Sequence, residues 1–423
     1  MRKFLLVFAL IFAAGSLLAL AYRWPPLHDR LVYRLDRLQA SIKYAISPPE
    51  QAVFVPKEST PLTPTATFTP FPLPTETPTP PGATATPVPS PTSTITPTPL
   101  PPQAMLDGFH HEFQTWNNCG PANLSMGLSY WGWQGNQRDT AAFLKPNERD
   151  KNVMPYEMEA FVDEETDLDA IVRVGGDLDT LKAFISAGFP VLVEKGFEGV
   201  GFDGWMGHYE VINGYDDAKG VVYAQDSYKG PNLEVSYKDL IGQWRAFNYT
   251  YLVIYSPEKE AQVMELLGLQ ANDRFNYHTA EQKARQEVQT LTGRDLFFAL
   301  YNQGSNLVHL QDYTAAATAY DAAFANYASI PEAERPWRML WYQTGPYFAY
   351  YFTQRYQDLI DLATTTLDAM SEPILEESYY WRGRARLALG DREGAIEDFQ
   401  QSLEVHPDFT PSLEQLGQLG VKP

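Results

Sequence analysis

A stretch dominated by proline and threonine, residues 59–103, constrains the fold of this 423-residue chain more than any other feature. Glu76 is its only charged residue, and proline offers no backbone N–H to a helix or a sheet. Such a composition cannot bury a hydrophobic core, so it predicts a semi-extended, polyproline-like stalk. An inert spacer is a simpler interpretation than a recognition motif. The stalk separates a short N-terminal segment from a globular remainder.

The N-terminus carries an almost unbroken apolar run from Phe4 to Ala21. This run is at the short end for a spanning helix, which needs about 20 residues, and it predicts a signal peptide or signal anchor over residues 1–22. Ala19-Leu20-Ala21 resembles a cleavage site, which favours removal. The positive-inside rule argues against simple anchoring with an extracellular globular part. The juxtamembrane segment that follows the run, residues 23–58, contains the basic residues Arg23, Arg30, Arg34, Arg37 and Lys43. We expect the chain to be anchored in the membrane with an extracellular globular part, or secreted after cleavage at Ala21.

Charge and cysteine content exclude several classes of function. The formal net charge is −20, so nucleic acid is an unsuitable partner on electrostatic grounds. Cys119 is the only cysteine, which rules out an intramolecular disulfide framework and a thiolate metal cluster. His110-His111 has no carboxylate or cysteine at ligand spacing, and the acidic run over 163–167 lacks the calcium-loop pattern. We predict no metal ion and no other cofactor.

Residues 104–258 form the first predicted globular unit, in which helical patterns precede strand patterns. Helical spacing of apolar residues occurs over 121–130, 156–162 and 178–187. Strand-like runs occur over 191–193, 208–215, 221–226 and 250–255. The turn signal over 216–220 lies between the second and third of these runs, which predicts a β-hairpin. An early helix followed by an antiparallel sheet is an α+β pattern.

The remainder of the chain is helical, with a connector over 259–292 and a repetitive region over 293–423. Gly304, Gly345 and Gly383 recur at spacings of 41 and 38 residues. Alanines and aromatic residues follow Gly304 and Gly383, whereas the copy that begins at Gly345 is degenerate, with Tyr356, Ile360 and Leu367 behind it. These positions resemble the tetratricopeptide repeat, whose period is about 34 residues. In such repeats small residues let paired helices approach closely and aromatic rings fill the space. The resemblance implies an all-α repeat domain with a concave face for a peptide or protein, although the helices could instead only pack against the first unit.

The flanks of Cys119 bear on whether this thiol is a buried filler, an intermolecular link or a nucleophile. Gly120 and Pro121 indicate a turn that enters a helix, and a helix N-terminus favours a thiolate. His208 and Asp226 lie nine residues on either side of position 217 in the predicted hairpin. Antiparallel pairing would bring them nearly opposite, with Cβ atoms about 5 Å apart on one face, unless a bulge shifts the register. Nucleophile, base and orienting carboxylate would then be present together.

Three segments together resemble a C39-like cysteine peptidase domain of the papain-like group. They are Gln114 to Tyr130, Gly207-His208-Tyr209 and Gln225-Asp226. The resemblance implies an α+β fold in which an N-terminal helix carries the cysteine and an antiparallel sheet carries the histidine and aspartate. It also implies that Gln114, five residues before Cys119, lines an oxyanion hole. One departure is that Ser227 follows Asp226 where the family commonly has proline.

The expected function is that of an extracytoplasmic thiol peptidase. Cys119 would attack a carbonyl carbon as the thiolate, and His208 would transfer the proton to the leaving group. Asp226 would fix the imidazole tautomer, while the Gln114 amide and the Cys119 N–H would bind the oxyanion. The repeats would dock a peptide or protein substrate or a partner. The alternatives are a papain-like acyltransferase and a catalytically inactive surface scaffold that binds proteins through its repeats.

Overall fold

The computed structural model describes residues 25–57, 99–147, 149–150, 152–198 and 204–422. The predicted signal segment over 1–22 and nearly all of the predicted stalk lie outside these residues. Within the described ranges no helix combines the length and the apolar character needed to cross a membrane. The described residues form an α+β unit, a helical unit, and a long N-terminal helix, α1 Pro25–Ile46.

The α+β unit is built around one antiparallel sheet. Its strands are β1 Gln103–Met105, β2 Asp169–Arg173, β3 Val191–Phe197, β4 Met206–Asp216, β5 Val221–Asp226, β6 Gly230–Ser236 and β7 Tyr251–Tyr255. Its helices are α2 Cys119–Tyr130, α3 Gln137–Leu144, α4 Pro155–Glu165, α5 Leu178–Ser186 and α6 Tyr237–Trp244. The strand order is β2-β7-β3-β4-β5-β6. Strand β3 pairs with the first part of β4, residues 206–212, and β1 pairs with its last part, residues 214–216. The predicted α+β class and the predicted hairpin are confirmed.

Both faces of the sheet are covered, and this fixes the position of α2. On one face Tyr209 and Val211 of β4 pack with Leu124, Met126 and Leu128 of α2 in a buried cluster. A Cβ atom at Gly127 would lie 2.8 Å from Cδ1 of Leu192, so glycine lets α2 lie directly on β3. The other face is covered by α5 and α6, which contribute Leu181, Phe184, Leu240 and Trp244. Helix α2 therefore begins, at Cys119, beside the centre of the sheet.

Three strands were absent from the sequence-based prediction, and each lacks a strong periodic signal. Strands β1 and β2 are short, with three and five residues. Strand β6 is the edge strand that follows β5 in the sheet order, and its polar sequence leaves Pro231, Asn232 and Glu234 exposed. Edge strands bury little apolar surface, so their alternation of apolar and polar residues is weak.

The helical unit follows the sheet. Its helices are α7 Glu260–Leu267, α8 Asp273–Val288, α9 Gly293–His309, α10 Tyr313–Tyr327, α11 Met339–Tyr342, α12 Gly345–Phe352, α13 Tyr356–Ala369, α14 Glu376–Ala388, α15 Arg392–Val405 and α16 Thr410–Gln418. Helices α9 and α10, α12 and α13, and α14 and α15 form successive hairpins, in agreement with the predicted all-α region. A Cβ atom at Gly304 would lie 2.7 Å from the Tyr320 ring, and one at Gly383 would lie 2.8 Å from the Phe399 ring. Small residues thus permit close helix pairing, as the sequence suggested.

The two units share a hydrophobic core. Trp205 and Phe247 of the α+β unit stack with ring centroids 5.7 Å apart, and Trp205 also packs on Phe298 of α9 at 5.6 Å. Both aromatic residues belong to the same buried cluster as Phe297, Tyr301 and other residues of the helical unit. The repeats therefore pack closely on the first unit, whatever else they bind.

The N-terminal segment also packs on the helical unit. Phe54 belongs to the shared core and contacts the Phe324 ring edge-on at 5.1 Å. The backbone N–H of Lys57 donates to Oδ1 of Asp358 at 2.8 Å. The segment that precedes the predicted stalk is therefore attached to the helical unit.

Candidate active site

The start of α2 positions Cys119 by packing and by hydrogen bonds. Asn118, which precedes the helix, donates from Nδ2 to Oε1 of Gln137 at 2.9 Å. A Cβ atom at Gly120 would lie 3.0 Å from Met158, so the first helical turn is closely packed against α4. Cys119 itself is half-buried and is a free thiol. The helix start is thus held in place, with Cys119 only partly buried.

Strand β4 positions His208 beside Asp226 of β5. The Nε2–H of His208 donates to Oδ1 of Asp226 at 3.1 Å, and both side chains are buried. Oδ1 also accepts from the backbone N–H groups of Tyr228 and Lys229 at 2.8 and 2.9 Å. The Cys119 thiol also interacts with the His208 imidazole, whose Nε2 is already bonded to the Asp226 carboxylate.

The pairing of the hairpin differs from the predicted register. Val211 lies opposite Gln225, and a bulge at Asn213 shifts the pairing in the rest of the hairpin. Continued in this register, Asp226 falls opposite Glu210, two residues from His208. The expected direct pairing of His208 with Asp226 was therefore wrong. The two side chains still share a face, because side chains alternate with a period of two, and diagonal neighbours on one face can contact.

The electrostatics of the site favour an ion pair between Cys119 and His208. Burial by itself raises the pKa of the Cys119 thiol, but the interaction with His208 and the backbone N–H groups of Tyr209 and Gly120 lower it overall. Burial likewise disfavours the charged imidazole, but Asp226 and Cys119 raise the pKa of His208 to about 9. The His208 ring in turn holds the pKa of Asp226 below its ordinary value, against the effect of burial.

A second carboxyl group lies near the Cys119 thiol, and its raised pKa limits its negative charge. Glu194 is buried and lies opposite Tyr209 in the pairing of β3 with β4. Burial, reinforced by charge on Cys119, raises the pKa of Glu194 well above its ordinary value, although a hydrogen bond with Tyr209 opposes this. The raised pKa favours the neutral acid, so Glu194 adds less negative charge beside a Cys119 thiolate than an ordinary carboxylate would.

Gln114 is tied to the other side of the site through Ser227. The Ser227 hydroxyl donates to Oε1 of Gln114 at 2.7 Å and accepts from Nδ2 of Asn123 at 2.8 Å. Asn123 also donates to the backbone carbonyl groups of Cys119 and Tyr209 at 2.9 and 2.7 Å. This arrangement fixes the carbonyl end of the Gln114 amide, which leaves its NH₂ end as the available donor.

Sequence reasoning missed Asn123, Ser227 and Tyr342 as neighbours of the site. Asn123 lies one helical turn after Cys119, and Ser227 follows Asp226 directly, so both could have been found from local spacing. Tyr342 of α11 packs behind Gly207, with its ring atoms 3.2 Å from a Cβ atom placed there. No pattern in the sequence could have linked Tyr342 to Gly207, because the contact depends on how the two units pack.

The two histidines considered as metal ligands, His110 and His111, lie in different surroundings. Nδ1 of His111 lies 3.1 Å from Oε1 of Gln225, and the side chain of His110 is exposed. In the described parts of the chain, no group of three or more histidine, cysteine, aspartate or glutamate residues is arranged to hold a metal ion.

Comparison with known proteins assigns both units. Residues 101–252 match the Peptidase_C39 like family, and residues 376–409 match the tetratricopeptide repeat. The α+β unit therefore contains a Peptidase_C39-like domain. The all-helical region that follows it contains a tetratricopeptide repeat. The resemblance inferred from the sequence is confirmed for both units.

Individual relatives are distant. A crystal structure of a C39-like peptidase from Bacillus anthracis is 17% identical and covers 36% of this chain and 96% of its own, with a TM-score of 0.30. Aryl-hydrocarbon-interacting protein-like 1 of Mus musculus is 23% identical over 164 residues, or 37% of this chain and 48% of that protein. The Rattus norvegicus protein of the same description is 24% identical over 167 residues, or 37% and 49%. The chain spans about half the length of these curated relatives.

Proposed function

We propose that this protein is an extracytoplasmic cysteine peptidase that hydrolyses a peptide or amide bond through Cys119, His208 and Asp226. The observation that carries the proposal is the 3.1 Å hydrogen bond of His208 with Asp226, on an imidazole that also interacts with Cys119. A carboxylate that orients an imidazole beside a thiol is the arrangement that nucleophilic acyl chemistry requires. The C39-like family match supports the same class of reaction.

Each step follows from the charge state of the site. The Cys119 thiolate attacks the carbonyl carbon of the scissile bond, and a tetrahedral oxyanion forms. The backbone N–H of Cys119 and the amide NH₂ of Gln114 donate to that oxyanion, and one such donor is worth about 3–4 kcal/mol of barrier. The His208 imidazolium gives its proton to the leaving amine as the carbon–nitrogen bond breaks. Neutral His208 then deprotonates the water that hydrolyses the thioester and releases the thiolate.

The location and the role of the repeats are also part of the proposal. The apolar run from Phe4 to Ala21 supports export, either as a removed signal peptide or as an anchor. A tetratricopeptide repeat supports docking of a peptide or protein on the helical unit. Since the helical unit shares its core with the peptidase domain, a docked substrate would lie on the same body as the thiol.

The test is labelling of the full chain with a peptide that bears a thiol-directed electrophile. Cys119→Ala should abolish labelling, and His208→Asn should slow it greatly although the thiol is still present. His110→Ala is the matched control, because this histidine is exposed and should leave the rate unchanged. Labelling of His208→Asn at the rate of the native chain would contradict the proposed ion pair and favour an inactive scaffold.

A product assay separates hydrolysis from acyl transfer. Incubation with a peptide library and an added amine nucleophile, followed by mass spectrometry, should give cleaved peptides with free carboxyl groups. Peptides that carry the amine in place of water would instead identify an acyltransferase. Cys119→Ala is the control in both cases and should give neither product.

A further inference from the structure

Helix α1 presents a continuous apolar stripe to solvent. Leu35, Leu38, Ile42 and Ile46 are 60%, 57%, 55% and 80% exposed. Their spacing of three, four and four residues places them on one face of the helix. Single exposed apolar residues are normal at a protein surface, but a contiguous stripe of four marks an interaction site.

Other residues of α1 attach the helix to the helical unit, so its orientation on the protein is defined. Nε2 of Gln39 donates to the carbonyl oxygen of Ser371 at 3.5 Å, and Lys43 donates to that of Met370. The Tyr44 hydroxyl accepts from the N–H of Ser371 at 3.2 Å, and its ring packs edge-on against Trp337 at 5.4 Å. The helix is therefore held by Gln39, Lys43 and Tyr44, while the apolar stripe remains exposed.

We propose that α1 lies along the surface of a lipid bilayer that contains anionic headgroups, with this stripe inserted at the headgroup boundary. The helix carries Arg30, Arg34, Arg37 and Lys43 against only Asp29 and Asp36, whereas the whole chain has a net charge of −20. A basic helix with one apolar face, in an otherwise acidic protein, has the composition of an interfacial helix.

Chain continuity also supports a bilayer. Helix α1 begins at Pro25, a few residues after the apolar run that ends at Ala21. At 1.5 Å per residue, Leu35 lies about 15 Å along the helix from Pro25, so an anchored run would keep the stripe near the membrane surface. If the run is removed, the stripe would still offer an apolar contact. The proposal therefore does not depend on cleavage, nor on the peptidase activity.

A second copy of the chain is the competing occupant, and charge disfavours it. Four basic residues and two acidic residues give α1 a positive net charge, and two copies would carry the same charge. Pairing two such helices through their stripes would bring like charges together along the contact. Anionic lipid headgroups would instead neutralise the same basic residues.

The experiment measures depth in vesicles with the full chain. In a Cys119→Ser background, Ile42→Cys carries an environment-sensitive fluorophore, and the vesicles contain phosphatidylglycerol, phosphatidylcholine and brominated acyl chains. The expected result is a blue shift and loss of fluorescence for this label. The matched control is Leu389→Cys on the helical unit, which is also 55% exposed and should show neither change.

Three results would overturn the proposal. An unquenched Ile42→Cys label in protein that co-floats with the vesicles would show that another surface holds the bilayer. A blue shift without lipid, together with a dimer in solution, would identify a second copy as the occupant. Equal quenching in purely neutral vesicles would remove the role assigned to anionic headgroups.

Discussion

At the scale of single residues, the candidate site depends on two opposing effects. Burial disfavours charge on both Cys119 and His208, yet their mutual interaction and Asp226 reverse this for each group. The charge state of Cys119 and His208 is therefore sensitive to any change at the Asp226 carboxylate. The charge of that carboxylate favours the imidazolium, and the imidazolium favours the thiolate.

The pH dependence of Cys119 alkylation by iodoacetamide tests this balance. The lowered pKa of the thiol should place the midpoint below the unperturbed value of about 8.5. Asp226→Asn should move the midpoint to higher pH, because the imidazolium loses its carboxylate and stabilises the thiolate less. Asp217→Asn, an exposed carboxylate in the turn of the same hairpin, should leave it unchanged. A native midpoint at the unperturbed value would contradict the ion pair.

Ser227→Ala tests the orientation of Gln114. The hydroxyl donates to Oε1 of Gln114, so its loss frees the amide and should weaken binding of a peptide aldehyde by up to about tenfold, the worth of one ordinary hydrogen bond. The aldehyde forms an oxyanion on Cys119, whereas iodoacetamide does not, so the alkylation rate should stay constant. Ser227→Thr keeps the hydroxyl and should restore aldehyde binding. An equal loss in both assays would show general damage to the site.

At the scale of secondary structure elements, the packing of the helices depends mainly on glycines that let neighbouring elements approach closely. Helix α2 lies directly on β3 through Gly127, and the helical hairpins close through Gly304 and Gly383. At each of these glycines, atoms of a neighbouring residue occupy the space that a side chain would fill, which raises packing density at the contact. The same glycines would lower stability at an open position, because glycine disfavours a helix.

Gly304→Ala should lower the free energy of unfolding by about 1–3 kcal/mol. The new methyl group would lie 2.7 Å from the ring of Tyr320, and overpacking of this kind forces the helices apart. Gly242→Ala in α6 is the control, because no atom lies within 4 Å of a Cβ there. That variant should gain about 0.5–1 kcal/mol. Urea unfolding measures both, and equal signs for the two variants would contradict the packing argument.

At the scale of the whole molecule, the peptidase domain and the helical unit are joined by one core. Trp205, three residues before His208, stacks on Phe247 and packs on Phe298 of α9. Tyr342 of α11 contacts the backbone at Gly207, next to the catalytic candidate. The helical unit therefore packs against the strand that carries His208.

Trp205→Ala tests this joint core. Removal of a buried tryptophan lowers the free energy of unfolding by about 3–5 kcal/mol, and we expect both units to be destabilised. Hydrogen exchange followed by mass spectrometry should show faster exchange in α9 as well as in β4. Phe143→Ala, whose ring contacts Phe161 within the peptidase domain, is the control and should not single out α9. Unchanged exchange in α9 of the Trp205 variant would show two independent cores.

By itself the sequence determined the α+β class, the β4–β5 hairpin, the paired helices and Cys119 as the single thiol. These depend on local periodicity and on residue identity, both of which a sequence displays directly. It also singled out His208, Asp226 and Gln114, and their catalytic role is the hypothesis that the labelling experiments test. Short or polar strands such as β6 were missed because they bury too little to leave a pattern.

Only the tertiary structure decided how distant parts meet. The bulge at Asn213 set the diagonal contact of His208 with Asp226, and unit packing brought Tyr342 against Gly207, the neighbour of His208. Packing of Phe54 in the shared core showed that the segment before residues 58–98 is attached to the helical unit. Such contacts arise from the summed burial and shape of many side chains far apart in the chain, and no periodicity in the sequence encodes them.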